Sequence, residues 1–419
     1  MQNLDIDKQS IVLLTSYFKK PGKNDVNPLT PTEWKLFAGW LKDKGYTPGS
    51  LLSEDGENII ESWNNNKINR ERLISLLKRG AQMSMAMEKW SRAGIWILTR
   101  SDPEYPQKLK ARLGTISPPV LFGVGNKEHL NKDGIAVVGS RDISTDDISF
   151  SQELGRLISM NNYSVISGGA KGVDESAMLG ALMNGGYATG ILADSLLQKS
   201  LSKMYREFLL SENLVLISPY YPEAGFNVGN AMGRNKYIYC LSETAVIVHS
   251  GLKGGTWTGA NENLNKKWVP IYVKENDNKD SGNRVLINTG AKKFNSSDFD
   301  LFDIESLFKK KVLPDFQYNI STVHEPQAAI LSGNENTKEP EINLLASKSM
   351  YEVFVLKLRL FLQEKERSNK ELKEMFLLTP AQLKEWLLRA EKENIIKKLS
   401  KPIRYKLCEE VKTQSDLFS

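Results

Sequence analysis

The chain is poor in the residues that most often hold metals or do covalent chemistry. Of 419 residues only two are cysteines, Cys240 and Cys408, far apart and outside any Cys-x-x-Cys pair, which argues against a disulfide framework and a thiolate zinc site. The three histidines, His129, His249 and His324, show no metal-ligand spacing. His249 closes an apolar strand, a setting for packing or hydrogen bonding more than catalysis. No Gly-x-Ser-x-Gly elbow supplies a nucleophile, and no Gly-x-x-x-x-Gly-Lys-[Ser/Thr] run supplies a P-loop. Nothing approaches the ~18 consecutive apolar residues of a membrane span. The N-terminus puts acidic residues before a short apolar run and lacks a basic lead. The expectation is a cytoplasmic protein without membrane contact, metal or cofactor. A net charge of +6 is mild; it permits a nucleic-acid partner without demanding one.

The 419 residues suggest two to four domains at roughly 100–200 residues each. The first stretch, assigned to residues 1–110, has helical texture. Thr30 stands as an N-cap with Pro31 after it and Glu33 three residues on, and Gly45 as a stop. Trp34 and Trp40 belong to its small core. Next come the short apolar runs 135–140, 163–169, 188–193, 214–220, 244–250 and 269–274, alternating with helix-length segments. Near-continuous apolar strands joined by helices mark a parallel sheet covered on both faces. The fold class is therefore α/β, a doubly wound Rossmann-like domain over 111–313 with its core at 134–294. Residues 314–349 read as a linker, 350–410 as a winged-helix domain with three helices and a hairpin, and 411–419 as a tail.

In such sheets ligands sit outside the carboxyl ends of the strands. Three loops there are rich in glycine and carry one cation each: Gly139-Ser140-Arg141, Gly168-Gly169-Ala170-Lys171-Gly172 and Lys253-Gly254-Gly255-Thr256. Glycine lets backbone N–H groups approach an anion, and a helix N-terminus adds positive potential. The loops are expected to form one shared anion cleft. The first loop is no Gly-x-Gly-x-x-Gly, and the second strand ends in Ser167 and Gly168 where a dinucleotide site places an acidic residue, so NAD is disfavoured.

At these residues the chain resembles a known family. AVVGSRDIS, SVISGGAKGVDESAMLGAL, GRNKYIYCLSETAVIV and SGNRVLINTGAKKF look like the DNA-processing protein A (DprA/Smf) family. The resemblance implies a helical SAM-like N-terminal domain ahead of the Rossmann-like one. It also implies a non-enzymatic, dimeric protein that binds single-stranded DNA and helps load a RecA-type recombinase on DNA entering during natural transformation. Carried over by position, Gly139, Ser140 and Arg141 match the first phosphate loop, and Gly168, Lys171 and Gly172 the second. Gly233-Arg234-Asn235-Lys236 matches an Arg-Asn-Arg run. Arg141 and Arg234 are expected to fork onto phosphate oxygens, Lys171 to act as a point charge, and backbone N–H groups to complete the cradle.

Two features depart from the family pattern. The Gly254 to Glu262 loop is similar to that of lysine-decarboxylase-like (LOG) nucleotide hydrolases, which keeps a nucleotide hydrolase or sensor open, with Glu262 as its acid. Asp142, Asp146 and Asp147 lie near the start of the helix after the first strand. They either complement its dipole or repel a phosphate track. Trp257 is the candidate for base stacking, with Tyr220 and Tyr221 behind it. Lys397, Lys398, Lys401, Arg404 and Lys406 on the wing form a second candidate surface for DNA or protein. The helix before them is charge-balanced, with Glu385, Glu391 and Glu393 against Lys384, Arg389 and Lys392, which weakens the reading as a duplex-DNA regulator.

Overall fold

A computed structural model describes residues 4–276, 281–295, 350–376, 380–399 and 404–408. The expected linker, the tail, His324 and Lys401 lie outside the described residues. The chain divides into two compact units, 1–317 and 318–419.

The first unit begins with α1 (Ile6–Thr15), α2 (Pro31–Asp43), α3 (Gly56–Glu61), α4 (Arg70–Leu77) and α5 (Gly80–Arg92). The start of α2 follows from local chemistry. Thr30 Oγ1 accepts from Glu33 N at 3.2 Å, Glu33 Oε2 accepts from Thr30 N at 2.8 Å, and Pro31 fills the first turn. Arg72 then forks onto Glu33 at 2.7 and 3.0 Å and ties α4 to that cap. Trp34 is buried, while Trp40 is half-buried and stacks on Phe37 at 5.7 Å.

β1 (Trp96–Thr99), α6 (Gln107–Leu113) and β2 (Val120–Gly125) lead into the sheet. The sheet thus takes in Trp96, ahead of the boundary expected at residue 110. β2 has no counterpart among the expected strands, because two glycines interrupt its apolar run. Structure explains one of them: a Cβ on Gly123 would lie 2.2 Å from the Trp96 ring, which packs flat on it. Trp90 of α5 meets Phe122 of β2 edge-on at 5.2 Å, so one continuous core joins helices and sheet.

The remaining elements are β3 (Gly134–Val138), α7 (Thr145–Met160), β4 (Ser164–Ser167), α8 (Val173–Leu182), β5 (Tyr187–Ile191), α9 (Leu196–Ser200), α10 (Lys203–Leu210), β6 (Leu214–Ser218), α11 (Val228–Leu241), β7 (Thr244–Ile247), α12 (Gly255–Lys266), β8 (Ile271–Lys274), α13 (Gly282–Asn288) and β9 (Lys292–Phe294). The strands run β1-β2-β6-β5-β4-β3-β7-β8-β9; β3 to β9 pair in parallel, and β1 and β2 form an antiparallel edge. Strand order reverses at β3, where β4 lies on one side and β7 on the other. A crevice opens where helices leave a doubly wound sheet in opposite directions. Every residue of β3, β4, β6 and β7 is buried, which is why these strands read as unbroken apolar runs.

The second unit contains α14 (Met350–Glu364), β10 (Arg367–Ser368), α15 (Asn369–Phe376), α16 (Pro380–Lys392), β11 (Ile396–Leu399) and β12 (Arg404–Leu407). β12 pairs antiparallel with both β10 and β11. Tyr351, Phe354, Leu358, Leu387 and Ile396 are among the residues of its core, and the arrangement is a winged helix.

Candidate nucleic-acid interface

The crevice between β3 and β7 holds a cavity of about 490 Å³. The first and third glycine loops meet there: Gly139, Ser140, Arg141, Lys253, Gly254, Gly255 and Thr256 all line it, together with Arg234 and Asn235 of α11. Ser140 N donates to His249 O at 2.9 Å, which knits the two loops edge to edge. Asn235 Nδ2 donates to Gly255 O at 2.9 Å and holds α11 against the start of α12. Arg141 and Lys253 are exposed cations on the rim.

A family model, DNA recombination-mediator protein A, matches residues 96–303. This segment belongs to that family. Protein Smf of Synechocystis sp. is 25% identical over 175 residues, 40% of this chain and 43% of that protein. DNA processing protein DprA of Streptococcus pneumoniae is 26% identical over 231 residues, 52% of this chain and 78% of the relative. The chain thus spans less than half of the Synechocystis protein. In fold, the X-ray structure of DprA from S. pneumoniae is similar with a TM-score of 0.53 at 18% identity, covering 72% of this chain and 99% of that one.

Within the DprA segment the second loop behaves unlike the other two. Gly168, Gly169, Lys171 and Gly172 do not line the cavity; only Ala170 of that loop does. The cause is Asp174, in the first turn of α8. Its carboxylate accepts from Gly168 N at 3.1 Å and from the N–H groups of Gly139 and Ala170. N–H groups expected to cradle a phosphate are therefore already occupied by an internal anion. A Cβ on Gly168 would sit 1.6 Å from Arg234 Nη1, and one on Gly139 would sit 2.4 Å from Val173 Cγ2, so both glycines serve close packing. Gly172, at φ 94°, turns the chain where a Cβ would strike Ser140 O at 2.5 Å. Lys199 Nζ donates to Gly169 O and secures the loop from behind; burial pulls its ammonium below the ordinary value.

Arg234 also departs from expectation. It is 5% exposed rather than free, with Nη1 donating to Ile191 O at 2.7 Å and Nε buried without a partner. Burial lowers its pKa against the attraction of Asp174, and the nearby charge of Arg141 lowers it further. Burial likewise raises the Asp174 carboxyl, opposed by Arg234 and the three backbone donors. Lys236 does not reach the cavity; its Nζ lies 5.2 Å over the Tyr237 ring.

The exposed aromatic at the cleft is Phe226, not Trp257; Tyr239 also lines the cavity but is buried. Trp257 is half-buried and packs against the core on the α12 side, outside the cavity lining. Phe226 lines the cavity, is 57% exposed, and carries Arg141 Cζ 4.9 Å over its ring. A usable signal was present: a phenylalanine beside a glycine, past a sheet strand and before a helix, has no periodic partner to bury it. Tyr220 donates to Asn230 O at 3.1 Å, and Tyr221 meets Tyr17 at 6.0 Å.

Glu262 does not line the cavity that holds Arg141 and Arg234, whereas a nucleotide hydrolase would need Glu262 to face one pocket with Arg141 or Arg234. Asp146 and Asp147 turn instead to Lys274, each at 2.7 Å, and Asp147 Oδ2 lies 3.3 Å from His249 Nδ1. Only Asp142 of that trio lines the anion cavity. In the second unit Lys397, Lys398, Arg404 and Lys406 are all exposed, and Lys397 lies directly across from Lys406. Lys384, Glu385 and Lys392 are exposed, and Glu391 half-buried, on α16, and Arg389 pairs with exposed Glu393 just past its end at 2.8 Å.

Proposed function

We propose that this chain is a non-catalytic single-stranded DNA-binding protein that passes the strand to a RecA-type recombinase and works as a homodimer in the cytoplasm. The observation that carries it is the meeting of Arg141, Lys253 and the exposed Phe226 at one cavity of about 490 Å³. Cations beside an aromatic face suit a strand whose phosphates are held and whose unpaired bases can stack. A duplex keeps its bases stacked inside and offers Phe226 nothing. The recombination-mediator description of the family supports the hand-over to a recombinase. Among the described residues no helix is long and apolar enough to cross a membrane.

Fluorescence anisotropy of the purified chain with labelled oligo(dT) and a matched duplex, across a salt series, tests the reading. Binding should favour the single strand and weaken with salt. Arg141→Ala should weaken it by about 1.5–3 kcal/mol, the weight of a charge-assisted contact, and lower the salt slope. Equal affinity for duplex, or no response to Arg141→Ala, would refute it.

A further inference from the structure

Phe226 stands on the connection between β6 and α11, residues 219–227, and that connection is fastened along most of its length. Tyr220 N donates to Ser218 Oγ at 3.1 Å, and the Tyr220 hydroxyl donates to Asn230 O at 3.1 Å. Pro222 O accepts from Leu197 N at 2.9 Å and Ala224 O from Ser195 N at 2.8 Å, which ties the middle of the connection to the start of α9. Asn227 Oδ1 accepts from Asn230 N at 3.1 Å and caps α11. Gly225 and Phe226 span the gap between two anchored residues.

One anchor comes from outside the sheet. Glu223 Oε1 accepts from the indole Nε1 of Trp90 at 3.2 Å, and Glu223 Oε2 pairs with Lys89 Nζ. Both partners belong to α5, so the helical region grips the connection three residues before Phe226. Tyr17, just past α1, adds its ring contact to Tyr221. Trp90 is a fixed point: it is 1% exposed and packs edge-on against Phe122 of β2, in a close-packed core that does not give way to a moving loop. An ion pair at the surface, such as Lys89 with Glu223, contributes little alone. The indole N–H makes the contact count for more, because without Glu223 this donor loses its acceptor inside the protein.

We propose that Glu223 is a positioning residue for strand binding: through Trp90 and Lys89 it lets the helical region set where the Phe226 ring stands at the cavity. The proposal rests on reading Phe226 as the aromatic on which a base stacks. Glu223 itself does not line the cavity, so it acts through Phe226 and not on the strand. A base gains most from a ring already held in place, since ordering a mobile loop on binding costs conformational entropy. The sign of the effect separates positioning from charge. Glu223 is an anion, and by its field alone its removal would strengthen the binding of a polyanion; loss of the strut weakens it.

Labelled oligo(dT) should be titrated by anisotropy against the full chain and its Glu223→Ala, Glu223→Gln, Phe226→Ala and Glu223→Ala/Phe226→Ala variants, with circular dichroism as the check on folding. Glu223→Ala should weaken binding about threefold or more, with the salt slope unchanged because no phosphate contact is lost. Glu223→Gln keeps an acceptor for Trp90 and should lose about twofold. In the Phe226→Ala background, Glu223→Ala should cost less than about 1.5-fold, since its effect passes through that ring. If Glu223→Ala fails to fold, the same cycle is run with Glu223→Gln. Parent or stronger affinity in the folded Glu223 variants, or an equal fractional loss with and without Phe226, overturns the positioning role and leaves the single-strand reading intact. Phe226→Ala at parent affinity, or a parent chain that binds no strand, overturns both.

Discussion

The second and third glycine loops leave parallel strands of one sheet, carry one lysine each, and lead into helices that begin with a glycine at positive φ. Their uses differ because of the first turn that follows. After the second loop comes Asp174, buried in a helix that is apolar almost all round, at the point where that helix borders the cavity. It turns back and satisfies the loop's own N–H groups. After the third loop the first turn is Gly255-Thr256-Trp257, and no side chain caps it. Glycine makes close approach possible; the next carboxylate decides whether a ligand or the protein occupies the space.

The strongest way to break this contrast is to remove the internal anion. Asp174→Asn leaves Arg234 buried without its counter-charge, and breaking such a pair costs about 3–5 kcal/mol. The melting temperature should fall on the order of 10 °C by calorimetry. A variant as stable as the parent would mean that Asp174 does not hold the loop, and the contrast would collapse.

The next test exchanges the two aromatics. Phe226→Ala should weaken single-strand binding by about 1–3 kcal/mol, the range for a stacked base, with the melting temperature nearly unchanged because the ring is 57% exposed. Trp257→Ala should do the opposite, lowering stability through lost packing on the α12 core and leaving affinity nearly as it was. Anisotropy and thermal melting on the same two variants separate the roles.

How far the sequence carried shows in this pair. The doubly wound sheet was legible because parallel strands buried on both faces leave unbroken apolar runs, and the capping box at Thr30 and Glu33 is a local rule that tertiary packing had no reason to override. Glycines and cations marked the right edge of the sheet. Which of them face the cavity depends on where strand order reverses and where Asp174 points, and neither leaves a periodic trace. Arg234 looked like a phosphate fork in sequence because burial of a single side chain inside a helix such as α11 depends on its packing partners, here Asp174 and Ile191. β2 escaped for a related reason: Gly123 breaks the pattern only because Trp96, on another strand, fills its place.

Asp102 sharpens the contrast from outside the cleft, since it too is a carboxylate that gathers loop donors. It accepts from Thr99 N at 2.7 Å and Thr99 Oγ1 at 2.9 Å, and pairs with Lys8 of α1 at 2.5 Å. Burial pushes its carboxyl up, but Lys8 and Thr99 outweigh burial and hold it below the ordinary 3.8. A depressed pKa in the folded state contributes stability that is present above the unfolded value and lost as pH falls through the folded one. Asp102→Asn should therefore cost about 1–2 kcal/mol in urea unfolding at pH 7. The gap to the parent should shrink once pH drops below the ordinary 3.8. Strand affinity at pH 7 should not respond, because the residue does not line the cavity.

The smallest effect is the one the loop chemistry alone would have made large. Lys171 is exposed and outside the cavity lining, so it makes no fixed contact there and acts only through its field. Such a field decays over ~8 Å at physiological ionic strength. Lys171→Ala should thus weaken strand binding by no more than about twofold at 0.15 M salt, with a larger effect only as salt is lowered. Lys253→Ala, from another glycine-rich loop, should lose more at every salt concentration, because Lys253 lines the cavity beside the uncapped turn of α12. If the two lysines prove interchangeable across the salt series, bulk charge governs this edge of the sheet, and the orientation of the loop N–H groups does not.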